Sequence, residues 1–323
     1  MAVTRRGQET DTMATKKTSI GGQALIEGIM MRGPKKTAMA VRNTKTNEII
    51  LEEYPTKGAN RMKLLKLPFI RGIFNMIDSL SFGYKCLMRS AELSGLEDEE
   101  DAKKKAKGPS FWDKLFEKLM MPIATVLAVA LALGLFVYLP MKLWQWITFS
   151  APAIAQNYYL RACFEGVLRI LLFVGYVWAT SLMKDIRRTY MYHGAEHKTI
   201  FCYEKGLPLT VENVRPQVRF HPRCGTSFMI LMLIVGIIIS MFIRVDNLLL
   251  RTGLKLLTFP IVVGIGYELI KLAGRKDNVC TRVISAPGKW LQRLTTREPD
   301  DSMIECAIAA MEKVIPEDGS DNW

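Results

Sequence analysis

Long uncharged apolar runs alternate with polar, basic segments in the second half of the chain, and these runs predict membrane-spanning helices. Residues 120–139 and 226–243 carry no charged side chain. Their lengths match a hydrocarbon core of about 30 Å, given a helical rise of about 1.5 Å per residue. Residues 163–183 and 254–270 are weaker candidates because they contain charges. The pattern therefore predicts four transmembrane helices.

The charged side chains inside the two weaker runs need an explanation, because an isolated charge within a bilayer is costly. Glu165 and Arg169 lie four residues apart, a spacing at which they pair on one helix. Lys255 lies near the end of its run, so we expect it to extend to the interface. Glu268 has no obvious partner in the sequence.

The distribution of Lys and Arg predicts the orientation of the chain, because these residues accumulate on the cytoplasmic side of membranes. Nearly all of them precede residue 120, lie within residues 184–225, or follow residue 270. The two opposite loops hold only Lys142, Arg161, Arg244 and Arg251. The basic N-terminus has no apolar run behind it and so lacks the core of a secretory signal. We expect both termini and the middle loop in the cytosol.

Residues 18–94 follow other patterns. A polar turn at 43–48 separates two β-type runs, residues 37–42 and 49–54, which predicts a β-hairpin. The preceding glycines match no nucleotide-binding fingerprint, so we interpret them as turns. Residues 64–93 have a helical apolar pattern that is too charged to span, and we expect this helix to pack on the spans or to lie on the membrane surface.

The predicted fold is mainly α: a polytopic membrane protein with four transmembrane helices and a cytosolic α+β portion that contains the β-hairpin. We divide the chain, in order, into a disordered N-terminus (1–17), a cytosolic hairpin and amphipathic-helix region (18–94), a charged linker (95–110), an interfacial helix with the first two spans (111–183), a cytosolic metal-motif loop (184–225), the third and fourth spans (226–270) and a cytosolic C-terminal region (271–323).

Composition agrees with this division. A chain of 323 residues that is 49% hydrophobic and 23% charged is too apolar for an ordinary soluble protein and too polar for a bare helix bundle. The net charge of +13 is explained by the cytoplasmic face of a membrane protein, so nucleic acid is not the expected ligand. Six cysteines without regular spacing do not form a disulfide framework.

All three histidines of the chain lie in the middle cytosolic loop. The order His-x-x-Glu-His places His193 and His197 on one face of a helix, with Glu196 beside them. His221 is followed three residues later by Cys224, immediately before the third run. Imidazole and thiolate are zinc ligands, and a reducing cytosol keeps the thiol free. We therefore expect a zinc ion at a juxtamembrane site.

The ligand set stays open at the level of sequence. If His193, His197, His221 and Cys224 all ligate, the shell is closed and structural; with three ligands, water takes the fourth position and Glu196 acts as general base. Glu268, on the same side of the membrane, is a further candidate ligand, but it could also pair with Arg223 or extend to the interface. We expect the helix that carries His193 to continue the second span and to end near Gly206.

Five blocks carry a resemblance to a known family: GGQALIEGIMMRGP, HGAEHKTIFCYE, RFHPRCGTSF, GYELIKLAGR and APGKWLQRLTTREPDD. Over residues 18–315 the chain resembles the YqhQ-like family of bacterial multi-pass membrane proteins, a family of unknown function sometimes described as predicted metal-dependent enzymes. The resemblance implies a bacterial plasma-membrane location. The description as an enzyme depends on the same His-x-x-Glu-His pattern, so it adds no independent evidence of a reaction. The resemblance also implies no substrate.

Two functions follow from these patterns. The first is a metal-dependent hydrolase that acts on a lipid or peptide bond at the cytosolic interface. The second is a non-enzymatic membrane factor with a structural metal, which binds a membrane complex, translocon or ribosome through its basic cytosolic surface. Both include the lipid bilayer as a partner, and they differ in whether the metal has an open coordination position.

Overall fold

The computed structural model describes residues 16–56, 67–96, 111–275 and 278–322. The predicted disordered N-terminus and charged linker fall mostly on residues 1–15 and 97–110, which lie outside the described residues. Lys16, within the predicted disordered segment, is held in place, because its ammonium lies 3.0 Å from the carboxylate of Asp321. Defined contacts therefore begin before residue 18.

Four antiparallel strands form one sheet in chain order. They are β1 (Gly21–Leu25), β2 (Gly28–Arg32), β3 (Lys36–Arg42) and β4 (Ile49–Pro55). The predicted hairpin is confirmed as β3 and β4, which pair along their full lengths around the expected polar turn.

The interpretation of the glycines as turns is correct for Gly33, whose N–H donates to the carbonyl of Lys36 at 2.8 Å between β2 and β3. The hairpin formed by β1 and β2 corrects it for the other three. Gly21, Gly22 and Gly28 lie within strands, and the turn is made by residues 26–27. Glu27 adopts a φ of 49°, a conformation that non-glycine residues seldom take. Tertiary contacts hold it there, since its carboxylate lies 2.5 Å from the Nε of Arg188.

The helices, in chain order, are α1 (Ile70–Leu93), α2 (Phe111–Leu133), α3 (Leu139–Ile147), α4 (Pro152–Ala155), α5 (Tyr158–Thr180), α6 (Lys184–Glu204), α7 (Val211–Val214), α8 (Gly225–Ser240), α9 (Leu248–Arg275), α10 (Val279–Thr295) and α11 (Asp301–Glu312). A π-helical turn, Gly134–Tyr138, joins α2 to α3, and a 3-10 turn, Thr148–Ser150, follows α3. The chain is thus mainly helical, with one small sheet.

Within the described residues, three helical stretches are long and apolar enough to cross a membrane: Pro122–Ser150, Tyr158–Thr180 and Leu249–Arg275. They correspond to the first, second and fourth predicted spans. The third predicted span forms α8, which has 16 residues. At about 1.5 Å per residue α8 is about 24 Å long, shorter than a hydrocarbon core of about 30 Å. It packs between α5, α9 and α10.

Helix α6 does not continue α5, which corrects the prediction of one uninterrupted helix. Helix α5 ends at Thr180, and Met183 has extended backbone (ψ 135°) before α6 begins. The two helices have different partners, because α5 packs on α8 whereas α6 packs on β1 and α11. The break lets α6 leave the line of α5. The predicted end near Gly206 is confirmed, and that residue has a φ of 68°.

The sheet is covered on both faces, which explains why β2 and β3 are apolar at nearly every position. Ile29 and Met31 face α6 and α11, while Met30 and Met39 lie in a second cluster with Cys86 of α1. Helix α11, capped by Asp300, buries Ile304 and Met311 completely, and these residues, seven apart, lie on one face of the helix. This double layer is the frame on which α6 is fixed.

Helix α1 joins the sheet to the apolar helices. It contacts β1 and β3 as well as α9. At Gly72 an added Cβ would lie only 2.7 Å from Tyr267 of α9, so the two helices approach closely there. The prediction that this segment packs on the spans is confirmed.

The predicted pair of Glu165 and Arg169 is present, at 3.1 Å. Lys255 also lies 3.0 Å from the carboxylate of Glu165. This contact corrects the expectation that Lys255 extends to the interface, because a buried carboxylate offers it a counter-charge inside the bundle.

Candidate metal centre

Two imidazoles and one sulfur converge where α6 meets the start of α8. The rings of His193 and His197, one helical turn apart, have centroids 4.4 Å from each other. Cys224 is the N-cap residue of α8, and its Sγ lies 3.1 Å from His193 Nε2. One ligand atom from each of the three residues lies within 4.8 Å of the other two. The structure thus brings together three of the residues that the sequence singles out.

Both imidazoles are oriented by backbone carbonyls. His193 donates from Nδ1 to the carbonyl of Thr295 at 2.8 Å, and His197 donates from Nδ1 to the carbonyl of Arg219 at 2.5 Å. Because a carbonyl only accepts, each Nδ1 carries a proton, and in the neutral imidazole Nε2 keeps its lone pair. Metal-binding histidines are held in this way by their second nitrogen. The donor set therefore fits a metal ion.

The surroundings of the Cys224 sulfur favour its thiolate form. Burial by itself would raise the pKa of Cys224, but the neighbouring imidazoles of His193 and His197 outweigh it and hold that pKa well below its ordinary value. The position at the N-terminus of α8 acts in the same direction. Burial lowers the pKa of His193, and the charge on Cys224 reverses this and raises it to about 9. The thiolate is the form of cysteine that binds metals.

Glu196 lies beside this cluster with one oxygen free. Its side chain is 4% exposed, and its Oε2 makes no hydrogen bond with the described part of the chain. The backbone N–H of Gly22 in β1 hydrogen-bonds the carboxylate. A Cβ at Gly22 would lie 2.9 Å from Glu196 Cδ, so only glycine lets β1 approach this closely. Burial raises the pKa of Glu196, more than the two imidazoles lower it.

A cavity of about 350 Å³ opens beside the cluster. Its walls come from β1, β2, α1, α6 and the start of α8, and its polar lining includes Glu196, His197, His221, Arg223 and Cys224. The volume is within the range of small-molecule sites. The cluster is thus buried by the protein on most sides and reachable from one.

His221 is close to the cluster but is turned to other partners. Its ring centroid lies 5.5 Å from that of His197, and its Nε2 lies 3.1 Å from Arg223 Nη2 and 3.8 Å from the carboxylate of Glu204. Burial lowers the pKa of His221 to about 4, so the ring is neutral. His221, the predicted fourth donor, therefore does not converge with the other three. The buried ion pair of Arg223 and Glu204 engages its ring instead.

Glu268, the other candidate ligand, lies away from the cluster. Its carboxylate accepts from the guanidinium of Arg71 in α1, with Nε to Oε1 at 2.8 Å. Glu268 therefore pairs with Arg71, and it does not ligate a metal with the cluster, pair with Arg223 or extend to the interface. The reason is the packing of α1 on α9, which places a cation next to the carboxylate.

Three residues that the sequence analysis did not assign to the site support it. Arg223 and Glu204 form a buried ion pair beneath His221. Gln292 of α10 is fully buried and holds the backbone of His221 on both sides, with its amide bonding the N–H and the carbonyl at 2.7 Å each. Glu204 lies seven residues after His197 on the same helical face, a signal available in the sequence. Gln292 has no such local signal.

Comparison with known proteins places the chain among related sequences. A family described as "Protein of unknown function (DUF1385)" matches residues 67–317. A protein of Bacillus subtilis (strain 168), described as "Uncharacterized protein YqhQ", is 34% identical over 302 residues, which cover 91% of this chain and 92% of that protein. No solved structure matches.

Proposed function

We propose that this chain, which belongs to the DUF1385 family, is a metal-dependent hydrolase of the bacterial plasma membrane. Its zinc-type site lies next to the membrane on the cytosolic side, and it acts on a lipid or peptide bond at that interface. The observation that carries the proposal is the convergence of two imidazoles and a thiolate within 4.8 Å beside a free carboxylate oxygen.

The number of converging ligands supports a catalytic rather than a structural metal. Catalytic zinc sites have three protein ligands and keep one position for water or substrate, whereas structural sites are closed by four. His193, His197 and Cys224 supply three, and His221 is engaged by Arg223 at 3.1 Å. The adjoining cavity gives a substrate access to the remaining position.

The residues of the chain would divide the chemistry between them. A zinc ion bound by the three ligands would supply Lewis-acid activation of a carbonyl or phosphoryl oxygen. Glu196 would accept the proton of the attacking water, because its Oε2 is buried and makes no other hydrogen bond within the described chain. The N–H of Gly22 holds the carboxylate in place for this transfer. The buried walls of the cavity would limit the access of bulk water.

The location rests on apolarity and charge. In the part of the chain that the structure describes, three helices are long and apolar enough to cross a membrane. The excess of Lys and Arg before residue 120, within residues 184–225 and after residue 270 supports a cytosolic side for the cluster. Cys224 directly precedes α8, so the cluster would lie close to the bilayer.

A second chemistry has one specific observation in its favour. The 3.1 Å contact between Cys224 Sγ and His193 Nε2, with Nδ1 of the same ring held by a carbonyl, is the arrangement of a cysteine–histidine nucleophile. A dyad needs only one imidazole, however, and the structure fixes two. The second oriented ring, His197, favours the metal.

Exchange of Glu196 for Gln tests the general-base role. We expect the Glu196→Gln protein to bind zinc at the wild-type level, because none of the three ligands changes, and to fail to rescue the phenotype of a strain that lacks the gene. The matched control is Glu212→Gln, an exposed carboxylate in the same cytosolic segment, which should rescue fully.

The outcomes separate the proposed functions. Full rescue by a zinc-loaded Glu196→Gln protein contradicts the hydrolase and favours the non-enzymatic membrane factor, in which the metal only stabilises the fold. Absence of zinc from the wild-type protein, together with loss of function on alkylation of Cys224, favours the cysteine nucleophile.

A further inference from the structure

A second cavity, of about 370 Å³, lies among the apolar helices. It is enclosed by the π-helical turn Gly134–Tyr138 and by α5, α8 and α9, and its apolar walls include Phe173, Met232, Phe259 and Val262. Along α8 the lining runs from Met229 to Ser240, about 16 Å at about 1.5 Å per residue. The cavity is therefore elongated and apolar along most of its length.

Two cations interrupt this apolar lining, Arg169 of α5 and Lys255 of α9. Arg169 is fixed at the wall because its Nε donates to the carbonyl of Phe136, at 2.7 Å, within the π-helical turn. π-helical turns occur frequently at functional sites. Both cations therefore lie in the lining of a cavity whose other walls are mostly apolar.

The two cations belong to a buried charge cluster that is not neutral. Glu165 is fully buried, and it pairs with Arg169 at 3.1 Å, with Lys255 at 3.0 Å, with Arg161 at 3.3 Å and also with Arg251. Asp246 pairs with Arg161 at 3.0 Å, but its side chain is 72% exposed. Within the described residues, four cations thus share two carboxylates, of which only one is buried.

The surplus of positive charge calls for an anion. A cation held among apolar helices loses its hydration, and its burial is tolerated only when a counter-charge replaces the water. A ligand that satisfies both halves of this cavity has an anionic end and a long apolar body.

We propose that this cavity binds an anionic phospholipid, with the phosphate at Arg169 and Lys255 and an acyl chain along α8. Basic pockets between membrane helices are known to bind lipid headgroups in this way. The charge cluster lies near the C-terminal end of α8, the end opposite Cys224, so the lipid would enter from the membrane face opposite the metal cluster. The site is thus separate from the proposed hydrolase centre, and neither proposal depends on the other.

Native mass spectrometry of the full chain in a mild detergent tests the site, with phosphatidylglycerol as the anionic probe and phosphatidylcholine as the zwitterionic one at equal concentrations. We expect one retained phosphatidylglycerol per chain and about tenfold weaker retention of phosphatidylcholine, because the choline cation cancels the charge of the phosphate. Equal retention of the two lipids would show only non-specific lipid around the helices and would overturn the proposal.

A cavity-filling variant provides the sharper comparison, since the charged residues also hold the fold. An added Cβ at Gly236, in the cavity wall, meets no atom within 4 Å, so the side chain of Gly236→Leu begins in open space and takes up volume in the cavity. Gly175 of α5 is equally unobstructed but lies outside the cavity, and Gly175→Leu is the matched control. We expect Gly236→Leu to retain about tenfold less phosphatidylglycerol than the wild type. Gly175→Leu should retain as much as the wild type. Equal retention by the two variants contradicts the proposal.

Inorganic phosphate distinguishes a lipid from a free anion. We expect phosphatidylglycerol to raise the melting temperature of the wild-type protein but not of Gly236→Leu, and millimolar phosphate alone to change neither. A rise caused by phosphate alone, equal in wild type and Gly236→Leu, would assign the cations to a free anion and overturn the lipid site. The zinc content of each variant, measured in parallel, reports whether the remainder of the chain is intact.

Discussion

At the scale of single residues, the proposed metal centre depends on buried polar groups that position one another. His193 and His197 are oriented by carbonyls, and His221 is withheld by the ion pair of Arg223 and Glu204. In a buried environment each of these groups needs its partner, since an unpaired charge there is costly. The contact with this ion pair therefore keeps His221 away from the three proposed metal ligands. The same contact supports the fold.

Glu204 is the residue at which this support can be measured. Its side chain is 3% exposed and that of Arg223 is 8% exposed. Glu204→Gln removes the carboxylate charge that pairs with the buried guanidinium of Arg223, so we expect the free energy of unfolding to fall by about 3 kcal/mol, measured by denaturant titration in detergent. The control is Asp318→Asn, which breaks a pair with Lys35 that is exposed on both sides. An equally small effect of both variants would contradict this role.

Acid should remove the same contribution. Burial raises the pKa of Glu204, but hydrogen bonding to His221 and the charge of Arg223 outweigh it, and the pKa is lowered from 4.5. A lowered pKa means that the stabilisation is present above the unfolded-state value and is lost as the pH falls through the folded-state value. The stability difference between wild type and Glu204→Gln should be full at neutral pH and shrink below about pH 4.5.

The sequence predicts the local part of this site and not its distant part. The spacing of His193, Glu196 and His197 on one helix follows from their positions alone. That His221 is diverted, and that Glu268 pairs with Arg71, depends on how α1 and α10 pack, which no short motif encodes. Gln292, about seventy residues from its partner His221, shows the same limit.

At the scale of elements, the site is made by helix placement. Helix α6 leaves the line of α5 after Met183, and this bend carries the two histidines to the start of α8. The apolar pattern predicts both helices but not the break, because residues 181–183 contain neither Pro nor Gly. The β3–β4 hairpin and α11 follow directly from their local patterns, since each has a clear period and a clear boundary.

Gly194 tests the packing of α6 against the segment that follows α10. An added Cβ there would lie 2.0 Å from the carbonyl oxygen of Arg297, a backbone atom that cannot move aside by a rotamer change. We expect Gly194→Ala to lower the free energy of unfolding by about 2 kcal/mol or more. The same change should weaken zinc binding. The carbonyl of Thr295, two residues before Arg297, accepts the hydrogen bond that orients His193.

The control is Gly253→Ala on α9, where an added Cβ meets nothing within 4 Å. A helical Gly→Ala change in open space stabilises by about 0.5–1 kcal/mol. If both variants shift the melting temperature in the same direction and retain the same zinc content, the close contact at Gly194 is not a constraint on the site.

At the scale of the whole molecule, the chain forms two halves, which are joined by α1 and by the contact between α6 and the start of α8. The sheet with α1, α6 and α11 forms one, and the apolar helices form the other. The cluster of His193, His197 and Cys224 lies at their junction, while the basic cluster around Glu165 lies near the other end of α8. The distribution of Lys and Arg along the sequence predicts that the two ends of α8 face opposite sides of the membrane. The helix itself, however, is shorter than a full span.

Cysteine accessibility tests the proposed orientation. In a background with the exposed Cys163 and Cys280 replaced by Ser, we introduce Gln156→Cys or Glu212→Cys, both at exposed positions. A membrane-impermeant maleimide should label Gln156→Cys in intact cells and Glu212→Cys only in inverted vesicles, because basic segments stay cytosolic. Labelling of Glu212→Cys in intact cells would reverse the orientation and place the metal cluster outside the cytosol.

X-ray absorption at the zinc edge, on the purified full chain, tests the central claim most directly. The expected shell has one sulfur at about 2.3 Å, two imidazole nitrogens at about 2.0–2.1 Å and one light atom from outside the protein. Cys224→Ser should remove the sulfur signal, and His221→Gln should leave the spectrum unchanged. A protein without zinc, or a shell of three imidazoles and one sulfur that changes in His221→Gln, would contradict an open site.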